Sequence, residues 1–248
     1  MSVATVYLLG LGVSPRDHAS VEVLQAAASC RKVLASGLNA QDRKFLAAFA
    51  PKGAVTEAPA PAAAVAALLA EARAGRPAAL ATPGHPFYFS ALGGAVVAAC
   101  EAAGVPWKSF GAVSPMGVGL SAVGATIGTT IHGLQSFEHA ALAGKAVTPN
   151  PVWPLVVYFY EPVTAASFAA AAARLAGFYP PEHLVVWCSG SAGGRRTTVA
   201  ALAKEGASAG PDAVLYLPAK AKSSAALGRT DAHRIEGKGP AAPAWITD

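Results

Sequence analysis

The stretch LATPGHPFYF, residues 80–89, decides the fold. The apolar run Ala78–Ala81 predicts a buried strand that breaks into Pro-Gly-His-Pro at 83–86, and a helix pattern begins near Ser90. In an open α/β sheet, ligands bind at loops that follow the carboxyl ends of strands. Prolines stiffen such a loop, and glycine lets the backbone come close to a ligand. From this motif alone, a turn that merely ends a strand is an equal alternative.

The composition is typical of a large globular chain. Its 248 residues are enough for two ordinary domains, and 53% of them are hydrophobic while 13% are charged. The 3 cysteines are widely spaced and form neither a CxxC motif nor a disulfide framework, which favours a reducing compartment. A strand pattern begins almost at once and no charged n-region precedes it, so we expect no signal peptide and a cytoplasmic location.

Charge and hydropathy argue against nucleic acid and membrane partners. The net charge is +5, but the basic residues are scattered, with mild clusters at 195–196 and 220–238, whereas nucleic-acid binders concentrate their charge on one element. The uncharged span 109–131 is long enough to cross a bilayer. It is rich in Gly, Ser and Thr and contains Pro115, so it predicts a loop and a short buried helix instead. We expect no metal site.

Strands alternate with helices along the chain, which predicts a mostly parallel sheet covered on both faces. Pro149-Asn150-Pro151 is the strongest linker signal. We therefore predict an N-terminal α/β domain at 1–148, a C-terminal α/β domain at 149–222 and a polar tail at 223–248. The predicted strands are 3–9, 31–36, 78–81, 105–110, 155–160, 184–188 and 213–217, and the predicted helices are 20–29, 41–49, 60–74, 90–103, 165–176 and 197–204.

A Gly10-x-Gly12 motif after the first strand suggests dinucleotide binding, but its details disagree with that function. The fingerprint needs glycine or alanine three positions after the second glycine, where this chain has Pro15. It also needs an acid after the second strand, and residues 31–36 contain none. A Walker phosphate loop is absent as well. Binding of NAD and of ATP is therefore disfavoured.

Three motifs in order resemble the tetrapyrrole methylase superfamily of S-adenosylmethionine (SAM) methyltransferases. The first is VYLLGLG at 6–12, and the second is Pro-Gly-His-Pro at 83–86, where many members carry Gly-Asp-Pro. The third is Val-Ser-Pro at 113–115, followed by a small-residue helix through Ala125. The resemblance implies a two-domain α/β fold with a SAM pocket in the cleft between the domains. It also implies a homodimer.

Within that superfamily the chain is most similar to the borosin-type peptide backbone N-methyltransferases. These carry Gly-His-Pro after the fourth strand, a segment like Gln-Ser-Phe-Glu at 135–138, and a strand that ends like Tyr-Leu-Pro-Ala-Lys at 216–220. The resemblance implies N-methylation of a ribosomally made peptide (a RiPP). The tail 223–248 is polar, has no Val/Ile-rich run and contains prolines without an N–H to methylate. We therefore expect the substrate to be a separate precursor peptide.

One departure bears on the peptide chemistry. Borosin enzymes place an Arg and Tyr pair in the helix before the fourth strand, whereas the matching residues 58–65 contain neither. Three alternatives follow and stay open. Other groups serve in this chain, or the acceptor is a tetrapyrrole or another small molecule, or the chain binds SAM and peptide without turnover.

The resemblance also implies the site residues. Methyl transfer from a sulfonium needs mainly alignment and a dry pocket, so backbone contacts from glycine and proline suffice. Tyr88 and Tyr160 are the candidate catalytic phenols, with sheet packing an equal explanation for Tyr160. Glu138 and His139 are assigned a structural cap or a site role with equal weight. The predicted cofactor contacts are Gly10, Pro83, Gly84, His85, Pro86, Tyr88, Ser114, Pro115, Phe159, Ser189, Ala213 and Val214.

Overall fold

The computed structural model describes residues 2–88, 90–123, 133–159, 163–189, 194–205 and 213–220. The described chain divides into two compact units, one ending at Val118 and the other beginning at Gly119. This division lies earlier than the predicted linker at 149–151, because residues 135–138 form a strand of the second unit's sheet. The tail predicted at 223–248 lies outside the described residues.

The first unit is a parallel sheet with helices on both faces. Its strands are β1 (Val6–Gly10), β2 (Lys32–Ala35), β3 (Val55–Glu57), β4 (Ala78–Thr82) and β5 (Trp107–Ser109). Its helices are α1 (Pro15–His18), α2 (Val21–Ser29), α3 (Ala40–Ala47), α4 (Pro61–Arg73) and α5 (Ala91–Ala103), and α6 (Pro115–Val123) begins in this unit. The strand order is β3-β2-β4-β1-β5, and each of these pairs is parallel. The carboxyl ends of these strands therefore share one edge.

Alternating side chains build a core on each face of this sheet. On one face Leu9 and Ala81 pack in a cluster with Val23 of α2. On the other, Leu80 packs in a cluster with Leu68 of α4 and with Val96 of α5. The central strand β4 is buried along its whole length. The predicted arrangement, a parallel sheet covered on both faces, is confirmed for this unit.

The second unit contains a mixed sheet. Its strands are β6 (Gln135–Glu138), β7 (Leu155–Tyr158), β8 (Leu184–Ser189), β9 (Gly194–Thr198) and β10 (Ala213–Leu217), and its helices are α7 (His139–Ala143), α8 (Ala165–Ala176) and α9 (Val199–Glu205). The order is β6-β7-β10-β8-β9. The β6–β7 pair is parallel, while β10 lies antiparallel between β7 and β8, and β9 runs back along β8. The predicted parallel arrangement therefore does not extend to this unit.

Two strands of this unit differ from the prediction for reasons visible in their sequences. The β9 sequence Gly-Arg-Arg-Thr-Thr has no large apolar residue, so it carries no period-two signal, and the predicted helix at 197–204 begins at Val199 instead. The β6 sequence is too short and too polar to show a pattern by itself. Its pairing with β7 supplies what the local sequence lacks.

Part of the uncharged span 109–131 forms α6, and residues 124–132 lie outside the described part. Among the helices of the described residues, none is long and apolar enough to cross a membrane.

We predict that Cys30 and Cys100 are unreactive in the folded protein. Both side chains are fully buried. Burial raises the pKa of the Cys30 thiol to about 11 and also raises the pKa of Cys100, and the thiolate is the reactive form. Iodoacetamide at mildly alkaline pH should label these two residues only after denaturation, as read by peptide mass spectrometry. Rapid labelling of either residue in the native protein would contradict the burial described here.

Candidate functional site

The candidate site in the first unit begins where two neighbouring strands end. Strands β1 and β4 pair in parallel, with Gly10 opposite Thr82. The loop after β1 and the Pro-Gly-His-Pro loop after β4 therefore leave the sheet side by side. The N–H of Leu11 donates to the carbonyl of Thr82 at 3.0 Å and extends this pairing beyond the strands.

Two glycines join these loops by reciprocal hydrogen bonds. The N–H of Gly84 donates to the carbonyl of Gly12 at 3.0 Å, and the N–H of Gly12 donates to the carbonyl of Gly84 at 3.3 Å. Both residues have positive φ, +75° at Gly12 and +61° at Gly84, a conformation that costs other residues energy. A Cβ on Gly12 would also lie 2.3 Å from the Cβ of His18. The bridge therefore requires glycine at position 12.

Gly10 lies where the loops come closest to the strand end. A Cβ built on Gly10 would be 2.6 Å from the Cβ of Ala112, 2.7 Å from the carbonyl oxygen of Gly84 and 2.7 Å from the Cδ of Pro86. Such distances leave no room for a side chain. We call this backbone-lined arrangement, residues 10–12, 83–88 and 112–115, the glycine cradle.

Ser114 and Pro115 complete the glycine cradle at the start of α6. The hydroxyl of Ser114 accepts a hydrogen bond from the N–H of Gly117 at 3.1 Å and so caps the helix. The Cδ of Pro115 lies 3.4 Å from the position of a Cβ on Gly84. The structure thus brings the predicted residues from three separate motifs together within the first unit.

His85 acts on its own loop. Its Nδ1 accepts a hydrogen bond from the N–H of Phe87 at 3.3 Å, a contact like that of an Asn or Asp side chain with the backbone two residues on. The His85 ring lies 5.8 Å from the Phe87 ring, which meets Trp107 edge-to-face at 6.2 Å. The local structure therefore shows the imidazole in a role that an aspartate in Gly-Asp-Pro can also fill.

The two candidate phenols are placed differently. The N–H of Tyr88 donates to the carbonyl of His85 at 2.9 Å, which closes a turn and puts Tyr88 at the end of the glycine cradle, half-buried. Tyr160 lies outside the described residues. Catalytic roles for both remain predictions.

The predicted residues of the second unit converge at one end of its sheet. Ser189 pairs with Ala213, and Val214 lies opposite both Cys188 and Tyr158, so the carboxyl ends of β7 and β8 adjoin the start of β10. The ring of Phe159 is 1% exposed and stacks on Phe168 and Trp187 in the core. Among these residues, Phe159 is thus placed to offer a ligand its backbone, and its side chain serves packing.

Two polar side chains near the glycine cradle, Thr82 and His18, do not stand out in the sequence. The hydroxyl of Thr82 at the end of β4 is buried and has no hydrogen-bond partner among the described residues. The sequence feature that indicates Thr82 is its position as the one polar residue of β4, directly before the Pro-Gly-His-Pro loop. The Nδ1 of His18 accepts a hydrogen bond from the N–H of Ser14 at 3.0 Å. This places His18 beside Gly12, a contact that the local sequence does not indicate.

The described residues contain no group of three or more His, Cys, Asp or Glu side chains that could hold a metal ion. The glycine cradle is a stiff, closely packed stretch of backbone at the carboxyl ends of β1 and β4. Such a site can hold and align a ligand.

A family comparison decides the assignment. The sequence matches the tetrapyrrole (corrin/porphyrin) methylases over residues 5–205. The chain belongs to the tetrapyrrole methylase family. It is a methyltransferase of that family, and the predicted superfamily is confirmed. No curated protein matches the sequence significantly.

Solved structures of this family share the fold. Uroporphyrin-III C-methyltransferase from Thermus thermophilus is 23% identical, with 87% of this chain and 92% of that chain covered and a TM-score of 0.69. Its complex with S-adenosylhomocysteine (SAH) is 20% identical over the same shares, with a TM-score of 0.64. The methyltransferase CobJ is 17% identical, with 88% and 95% covered and a TM-score of 0.64. These similarities confirm the α/β tetrapyrrole methylase fold.

We predict that Gly93→Ala, a substitution in α5, displaces the Pro86 segment of the glycine cradle. A Cβ on Gly93 would lie 2.2 Å from the carbonyl oxygen of Pro86, so the loop must move, and SAH affinity measured by calorimetry should fall. Gly94→Ala is the matched control, because a Cβ there meets nothing within 4 Å. The control should stabilise α5 by about 1 kcal/mol and leave SAH affinity unchanged. Equal affinities for both variants would contradict this account.

A second prediction concerns the role of His85. If its Nδ1 contact with the N–H of Phe87 orders the loop, His85→Ala weakens SAH binding. His85→Asn restores it, because an asparagine oxygen can accept the same N–H. Calorimetry on the three proteins tests this, with circular dichroism to confirm folding. Failure of the asparagine variant to recover affinity would assign the imidazole itself to the ligand.

Proposed function

We propose that this methyltransferase transfers the methyl group of SAM to backbone amide nitrogens of a separate precursor peptide. The observation that carries the cofactor part is the glycine cradle, where reciprocal bonds between Gly12 and Gly84 present backbone at the carboxyl ends of β1 and β4. A relative of the same fold is described as complexed with SAH. SAM is accordingly the methyl donor of this chain.

The peptide part of the proposal is supported by three borosin-like segments, each of which has a definite place in the structure. Gly84-His85-Pro86 forms the loop of the glycine cradle, and Gln135–Glu138 is the edge strand β6. The segment 216–220 follows the end of β10. The amide of Gln135 bonds to the backbone of Asn150 in both directions, at 2.6 and 2.8 Å. That glutamine therefore anchors β6 to the following loop, so its side chain is not assigned to the substrate.

The proposed transfer is a direct displacement. The bond from the methyl carbon to the sulfonium sulfur breaks as a carbon–nitrogen bond forms, SAH leaves, and the amide proton passes to a base. Alignment and exclusion of water supply most of such an acceleration. Residues 58–65 lead into α4 and carry no ionisable side chain, so we propose Tyr88 and Tyr160 for the proton.

Methylation of a tetrapyrrole is the second candidate function. The family description names corrin and porphyrin methylation, and the solved relatives include a uroporphyrin-III C-methyltransferase. The missing Arg and Tyr pair suits this candidate as well. Methylation of a carbon acceptor would need SAM held in the same way at the glycine cradle. The two candidate functions therefore differ only in the acceptor molecule.

Three further expectations belong to this proposal. The enzyme forms a homodimer, works in the cytoplasm, and does not methylate its own tail at 223–248. The first would bury some of the large apolar side chains that the described residues expose, among them Val21 and Trp153.

The test is a paired incubation with SAM, one with candidate precursor peptides and one with a tetrapyrrole. We predict a mass gain of one methylene per transfer on the peptide, mapped to backbone nitrogen by tandem mass spectrometry, and none on the tetrapyrrole. Methylation of the tetrapyrrole alone would overturn the peptide assignment in favour of the second candidate. Binding of SAH without transfer to either would point to the non-catalytic alternative. Intact mass of the protein checks for methylation within 223–248.

A further inference from the structure

A buried histidine lies against a carboxylate at the end of β6. The Nδ1 of His139 is 2.6 Å from the Oε1 of Glu138, and His139 is 1% exposed. These two buried atoms approach each other without a hydrogen bond of regular geometry, and neither makes a hydrogen bond to any other described residue. The second carboxylate oxygen of Glu138 accepts from the N–H groups of Ala140 at 2.6 Å and Ala141 at 3.2 Å. Glu138 is thus fixed by the helix that it caps, and it orients the imidazole.

The imidazole is held on its other edge too. Its Nε2 lies 3.4 Å from the hydroxyl of Ser167. That hydroxyl donates to the carbonyl of Thr164 at 3.1 Å and accepts from the N–H of Thr164 at 3.1 Å. The Ser167 hydroxyl is therefore itself fixed by the backbone at the start of α8. Each ring nitrogen of His139 therefore has a polar neighbour, Glu138 at Nδ1 and Ser167 at Nε2.

The fixed ring lies against Phe159. The two rings stack at 5.2 Å with 27° between their planes, and Phe159 stacks in turn on Trp187 at 5.6 Å. Glu138 also lies opposite Tyr158 in the register of β6 with β7. The pair therefore contacts the carboxyl end of β7 in two ways: Glu138 pairs with Tyr158 through the backbone, and His139 stacks on the ring of Phe159.

Stability alone does not explain this pair. An apolar side chain of similar volume would fill the place of His139 without burying polar atoms, and such replacements are often neutral or stabilising. What the pair adds is a defined orientation. It adds this at the end of the sheet where the backbones of Phe159, Ser189 and Ala213 converge.

We propose that Glu138 and His139 are positioning residues, which fix the carboxyl end of β7 so that the backbone at Phe159 is set for the cofactor. The inference rests on the proposed function, in which SAM is the methyl donor, and on the prediction from sequence that Phe159, Ser189 and Ala213 contact this cofactor. Neither residue touches the cofactor. They act through Phe159.

The test measures SAH affinity by calorimetry and the melting temperature for Glu138→Gln, His139→Ala and a control. Glu138→Gln keeps an oxygen to cap α7 and removes the charge. Leu155→Ala is the control, because Leu155 is fully buried at the opposite end of β7 and its truncation leaves a destabilising cavity. We expect both pair variants to bind SAH about tenfold more weakly, by analogy with residues that orient metal ligands without touching the metal. The control should melt earlier but keep its affinity.

Wild-type affinity in the folded Glu138→Gln variant would overturn the positioning role, even if His139→Ala fails to fold. Equal loss of affinity in Leu155→Ala would also overturn it, since the effect would then follow stability alone. Absence of SAH binding to the wild-type protein is a different result. It would overturn the proposed function and this inference together.

Discussion

Two backbone hydrogen bonds between Gly12 and Gly84 are the constraint on which the candidate site depends. They tie the loop after β1 to the loop after β4, which are distant in sequence but neighbours at the sheet edge. Each glycine has a conformation that other residues adopt at a cost, and side chains from both sides close in on them. The other residues of the glycine cradle pack against this pair of hydrogen bonds, namely Gly10, Pro86 and Pro115.

The chemistry of the site follows from that construction. A loop stiffened by prolines and pinned by backbone bonds holds a ligand by position and needs few charged side chains. His85 turns one ring nitrogen back onto its own loop, so the residue that looks most reactive in the sequence contributes to loop structure. Methyl transfer from SAM needs few charged side chains at the donor, because the donor carries its own leaving group. The acceptor decides what further groups are needed.

Strands β1, β2 and β4 of the first unit could be predicted from sequence because they are short and mostly apolar, whereas β3 (Val-Thr-Glu) shows no such pattern. Strand β4 and the cap at Ser20, which accepts from the N–H of Val23 at 3.2 Å, follow from local patterns. The strands of the second unit are less predictable from local sequence. Strands β6 and β9 are polar, and their pairing comes from distant partners. Pro149 and Pro151, the strongest linker signal in the sequence, lie within the second unit on a loop anchored by Gln135.

The most direct test of the account is a crystal structure of the protein with SAH. We predict that SAH lies against the backbone of residues 83–88 and the loop of residues 10–12, with the Gly12–Gly84 hydrogen bonds intact. SAH bound away from this loop would contradict the central claim. So would a complex in which those two hydrogen bonds are broken, because the bridge could not then be what shapes the site.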